Sequence, residues 1–146
     1  MKSLQKILIY ILILIATSLS KISAQQINET ALKSTLNKLI EFSKNKDYEK
    51  AAALIAYEGT DKKRAGKESF MALNKEELNQ VKRICKKISA LIELSNQHEQ
   101  GNITIKKESD FEIISIDVSF KSGDQKLITA FNFVKTESGF LLFNMN

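Results

Sequence analysis

The side chains able to move protons or hold ions are few and scattered. The chain has one histidine and one cysteine. His98 lies in a polar run with Asn96, Gln97, Glu99 and Gln100, has no second His or Cys near it to complete a metal set, and reads as a surface position on a loop. Cys85 falls on the apolar stripe of a helix and reads as a small buried hydrophobe; its alternative is a thiol lining a pocket near Lys82 or Lys86, with no His to activate it. Asp117 alternates with Ser115 and Ser119, the pattern of a solvated strand face. An acid/base enzyme would need a carboxylate or imidazole aimed into an enclosed space. The sequence offers none there, so no catalytic residue, metal ligand or cofactor is assigned.

The basic groups are better organised. Lys82 and Lys86, and Arg83 and Lys87, stand four residues apart and share one side of a helix. They form a candidate basic surface for an acidic partner, a phosphate-bearing envelope surface or an anionic ligand, set against the alternative of an ordinary solvated face. Lys62, Lys63, Arg64 and Lys67 precede that helix and could extend it.

The first residues set the expected address. Lys2 and Lys6 precede an apolar run from Ile7 to Ala16, and Ile22-Ser23-Ala24 stands before Gln25, the layout of a secretory signal peptide over residues 1–24. Cleavage after Ser20 is the alternative. The run is too short for a stable membrane span after cleavage, since crossing a bilayer takes about 20 apolar residues. Residues 25–146 then form a single domain. Removing the leader takes three lysines and no acid, which lowers the net charge from +5 to +2. With that charge and no aromatic interleaving among the lysines, nucleic acid is excluded as a partner. A single cysteine also leaves no intramolecular disulfide, so packing must supply stability.

The positioning elements follow from periodicity. Leu32, Leu36, Leu39 and Ile40 predict an amphipathic helix over 28–45, and Asp47 caps a second one from Tyr48 to Tyr57, stopped by Gly59. Residues 60–69 read as a mobile charged loop. Asn74 and Glu77 have the form of a capping box for a third helix, whose stripe is Leu78, Val81, Cys85, Ile88 and Ile92. Strands follow at 102–107 and then at 114–120, where Ile114, Ile116, Val118 and Phe120 share one face. A Gly123-Asp124 turn sets these opposite Phe133, Phe131, Thr129 and Leu127. A three-residue loop at Glu137-Ser138-Gly139 sets Phe133 opposite Phe143 and Phe131 opposite Met145. Helices followed by strands predict an α+β fold, with three helices packed on one face of a curved four-stranded antiparallel sheet.

The order of elements, the segment Lys46-Asp47-Tyr48-Glu49-Lys50-Ala51 and the closing Glu137-Ser138-Gly139-Phe140-Leu141-Leu142-Phe143 resemble the nuclear transport factor 2-like superfamily. More narrowly, the chain is similar to its small exported bacterial members of unknown function. The resemblance implies a cone-shaped roll around a pocket, a periplasmic or extracellular location, and frequent dimerisation through the outer sheet face. Some members are isomerases or dehydratases with an Asp or His inside the cone. Others only bind.

The expected pocket lining is Ile116, Val118, Thr129, Phe131, Phe133, Phe143 and Cys85. The expected interface of a candidate homodimer is Ile128, Val134, Phe140 and Leu142. The reading is an exported, non-catalytic binding domain for a small hydrophobic ligand or an envelope protein. Its alternative is a small isomerase or dehydratase with an acid/base group in the cone.

Overall fold

The computed structural model describes residues 29–108 and 111–146. The signal peptide expected over 1–24 lies outside the described residues. The described residues 29–33 fall outside the compact unit formed by Ser34–Asn146.

Among the described residues three helices precede four strands, an α+β arrangement with an antiparallel sheet in the order β1-β2-β3-β4. Helix α1 is described over 29–45, α2 is Tyr48–Ala52 and α3 is Lys75–Glu93. The strands are β1 Gln97–Glu108, β2 Phe111–Ser122, β3 Gln125–Thr136 and β4 Gly139–Met145.

The central hairpin has the expected register. Ile114 pairs with Phe133, Ile116 with Phe131, Val118 with Thr129 and Phe120 with Leu127. Gly123 supplies the positive φ of +59° that a Gly-first two-residue turn needs. This face carries the densest core: Ile116, Val118, Phe131 and Phe133 are each at 0% exposure, as are Val81, Cys85 and Ile88 of α3. Burying each large apolar side chain contributes roughly 1.5–3 kcal/mol.

The last hairpin departs from expectation. Thr136 pairs with Gly139, so the connection holds two residues, Glu137 and Ser138, instead of three. That reverses the facing at the start of β4: Phe133 meets Leu142, and Val134 meets Leu141. A bulge between Asn132 and Phe133 then restores the expected pairing of Phe131 with Met145. Strand β1 also begins earlier than expected and takes in His98, with a second bulge between Gln100 and Ile103.

The greatest departure is between α2 and α3. The second helix stops at Ala52 rather than running to Tyr57, because the next backbone pairs with β4: Leu142 N–H donates to Leu54 O at 2.8 Å, and Ala56 N–H to Leu142 O at 2.8 Å. Residues 68–70 pair on its other side, through Tyr57 N–H to Glu68 O and Phe70 N–H to Ile55 O. Regular ladder bonds to a distant strand outweigh a helical propensity that is only a few tenths of a kcal/mol per residue.

The segment expected to be a mobile loop is therefore fixed. Arg64 grips Glu77 with two nitrogens, at 2.9 and 3.1 Å, and donates to Ser69 O at 3.2 Å. Its guanidinium also lies 4.1 Å from the Tyr57 ring centroid. Glu77 accepts from Met71 N–H at 2.7 Å, so this carboxylate serves the clamp and not the capping box. Asn74 does cap α3, accepting from Glu76 and Glu77 N–H. Arg64 holds the Glu77 carboxyl below its ordinary pKa, against an opposing push from burial. Gly59 is required here because a Cβ would collide with the Tyr57 ring.

Candidate functional site

Helix α3 ends where the β2–β3 hairpin turns. Leu94 follows the helix as its C-cap, and Ser95 Oγ closes the last turn on Ile92 O at 3.1 Å. Asn96 N–H then donates to Lys121 O at 2.8 Å, which ties the helix exit to β2. Between them lies a groove of about 510 Å³, with Leu91, Leu94, Phe120 and Leu127 as its apolar lining. Lys121, Lys126, Ser122 and Gln125 complete it.

Two of these leucines are unusually open. Leu94 is 76% exposed and Leu127 is 54% exposed, although both line the same groove. Lys121 is held by Glu99 at 3.2 Å. Among the described residues, no carboxylate lies within salt-bridge reach of Lys126. The groove thus joins an apolar floor to a cationic rim, which suits a molecule with an oily body and an anionic head.

The expected pocket residues divide. Ile116, Val118, Phe131 and Phe133 are fully buried on one face, with Thr129 beside them at 9% exposure. Cys85 is also at 0%, and burial pushes its thiol pKa up while the nearby Ser43 hydroxyl pulls weakly the other way. Ser43 Oγ is itself buried without a well-formed hydrogen bond, so it does little to stabilise a thiolate. Phe143 does not share this face. The reversed start of β4 and the bulge set it against an outer cluster of Ala56, Ile113, Val134 and Leu141.

The expected interface residues divide as well. Ile128 is 56% exposed, whereas Val134, Phe140 and Leu142 are buried at 1%, 6% and 1%. Leu142 pairs with Phe133 and packs on the central face. On the basic surface, Arg83, Lys86 and Lys87 are exposed, while Lys82 is half-buried with its ammonium 5.8 Å from the Tyr48 ring centroid.

Three participants escaped the sequence reading. His98 lies opposite Phe120 on β1 and stacks on its ring, with centroids 6.2 Å apart. Its polar neighbours hide that strand position. Leu94 belongs to the same apolar series as Leu91 and carries no sign of being left uncovered. The outer face holds a polar series that is buried at one end: Ser115 Oγ donates to Asn132 Oδ1 at 2.5 Å between two buried residues, and Asn132 Nδ2 donates to the exposed Asn144 and Asn146.

No group of three or more His, Cys, Asp or Glu among the described residues could hold a metal ion. No helix of the described residues is long and apolar enough to cross a membrane. No protein-family model, curated protein or solved structure matches the chain. The geometry defines an α+β domain with an open apolar groove beside its central hairpin.

Proposed function

We propose that this chain is an exported, non-catalytic binding domain of the nuclear transport factor 2-like kind, whose groove takes a small amphiphile of the fatty-acid class. The observation that carries this reading is the pair Leu94 and Leu127, held open on a common cavity with Phe120 beneath and lysines at the rim. A volume of about 510 Å³ falls in the range of small-molecule sites, roughly 300–1,000 Å³. The titratable side chains lining the groove are lysines, which suit holding an anion. The bulges in β1 and against β4 support a curved sheet around the helices, since an extra residue bends its strand. Export rests on the leader-like pattern before Gln25, and N-terminal sequencing of secreted protein is expected to begin at that residue. A homodimer through the outer sheet face rests on Ile128, the one exposed member of its expected interface.

Titration with decanoate, followed by displacement of a fluorescent hydrophobic probe, tests the groove. Leu94→Asp and Leu127→Asp are expected to abolish binding while leaving the melting temperature near that of the parent, because both side chains are exposed. No binding by the parent, or unchanged binding by both variants, would refute the reading.

A second reading, an isomerase or dehydratase, draws on His98 alone, whose ring shares the Phe120 side of the sheet. It requires His98→Ala to abolish turnover of a substrate. The binding reading expects decanoate affinity to be unchanged in that variant.

A further inference from the structure

A second cavity of about 850 Å³ lies between the clamped 58–70 segment and the β3–β4 hairpin. Its lining differs in kind from that of the groove. Lys63 and Lys67 come from the segment and Lys135 from the end of β3, with Thr136 and Ser138 beside them. Two carboxylates also line it, Glu68 and Glu137, but Glu68 is engaged by Arg64 Nε at 3.0 Å. Among the described residues, no carboxylate lies within salt-bridge reach of Lys63, Lys67 or Lys135.

Like charges gathered without partners repel one another, so their placement needs a rigid support. The backbone that carries Lys63 and Lys67 is held. Lys63 N–H is fixed by Asp61 Oδ1 at 2.9 Å, and Gly66 N–H donates to Tyr57 O at 3.0 Å. The Arg64–Glu77 clamp holds the residue between the two lysines. Gly66 has φ +70°, which turns the backbone between Arg64 and Lys67. Across the cavity, Thr136 Oγ1 gives its proton to Gly139 O at 3.0 Å. With that proton spent, the Ser138 hydroxyl, 3.0 Å away, donates to Thr136 Oγ1, so the hydroxyls are satisfied within the hairpin and the lysines are left as the groups that meet a ligand.

We infer that this cavity binds a multiply charged anion of the phosphate class, with Lys63, Lys67 and Lys135 neutralising it. Three lysines against Glu137, the one lining carboxylate outside an ion pair, leave the lining net cationic, which matches a group at a charge near −2 better than a single carboxylate. This inference does not depend on the amphiphile groove, which is lined by other residues.

The test is calorimetric titration of the folded chain with pyrophosphate at low salt. Binding is expected, and Lys67→Gln and Lys135→Gln should each weaken it about tenfold, the effect of losing one charge-assisted contact. Lys135→Arg should retain most of the affinity, and Lys86→Gln on α3 should change nothing. Melting curves should match the parent, since neither Lys67 nor Lys135 makes an ion pair. Absence of pyrophosphate binding, or equal weakening by Lys86→Gln, overturns the site. Phosphatidylglycerol vesicles, compared with phosphatidylcholine, identify the source. Vesicle binding that needs the same lysines assigns a lipid headgroup, binding of pyrophosphate alone assigns a free anion, and either result supports the cavity as the site.

Discussion

The two faces of the sheet are buried by different means. One is filled by Ile116, Val118, Phe131, Phe133 and Leu142, with Thr129 a buried polar member among them. The other mixes an apolar cluster of Ile113, Val134, Leu141 and Ala56 with a hydrogen-bonded series from Ser115 through Asn132 to Asn144 and Asn146. The first face gains stability from apolar area, and an error in it leaves a cavity or a stranded charge. The second depends on its buried pair, Ser115 and Asn132, staying bonded, because an unmade buried hydrogen bond costs more than a made one contributes, a cost already borne by Ser119 Oγ on the same face. Strand alternation therefore marks which residues share a face. It does not tell whether the polar face is wet.

Substitutions that exchange the characters of the two faces should separate them. Ile116→Asp places an unpaired charge at a fully buried site and should leave the domain unfolded by circular dichroism and size exclusion. Asn132→Ala should cost about 1–3 kcal/mol in urea denaturation, because Ser115, Asn144 and Asn146 lose their common partner. Asp117→Ala should stay within about 0.5 kcal/mol, since no hydrogen bond or ion pair among the described residues involves its side chain. Equal losses from Asn132→Ala and Asp117→Ala would erase the distinction between a bonded and a solvated outer face.

The edge that carries Ala56 has its own pH signature. Arg64 lowers the folded-state pKa of Glu77, so the stabilisation is present above the unfolded value of about 4.3 and is lost as pH falls through the folded one. The melting temperature should fall with acid below about pH 4.3. Glu77→Gln should flatten that dependence while lowering the melting temperature at neutral pH by several degrees. A variant with the parent's acid slope would remove Glu77 from the mechanism.

Much of the central hairpin was legible because its signals are local. A period of two over residues 114–120 and a glycine at the turn determine one register, and the structure has it. The segment after α2 was not legible, since Leu54 and Ala56 find their backbone partner in β4, over 80 positions along the chain, and Ile55 and Tyr57 find theirs at Phe70 and Glu68. Nor does any helical spacing link Arg64 to Glu77, thirteen residues apart. The facing of β4 was lost to one residue of loop length and one bulge, neither of which leaves a compositional trace. For the candidate groove, the sequence placed Phe120 and Leu127 opposite each other. It could not show that the end of α3 would stand over them and leave Leu94 uncovered.

The irregularity beside Phe143 acts as a frame corrector. With Leu142 opposite Phe133, an unbroken ladder would bring Asn144 opposite Phe131 and point an amide into the oily interior. One surplus residue sends Met145 there instead and delivers Asn144 to Asn132. Deleting Phe143 would close the ladder with Leu142, Asn144 and Met145 still opposite Phe133, Asn132 and Phe131, so its cost would be the lost packing on Ala56, Ile113, Val134 and Leu141 and not an exchange of inward and outward roles.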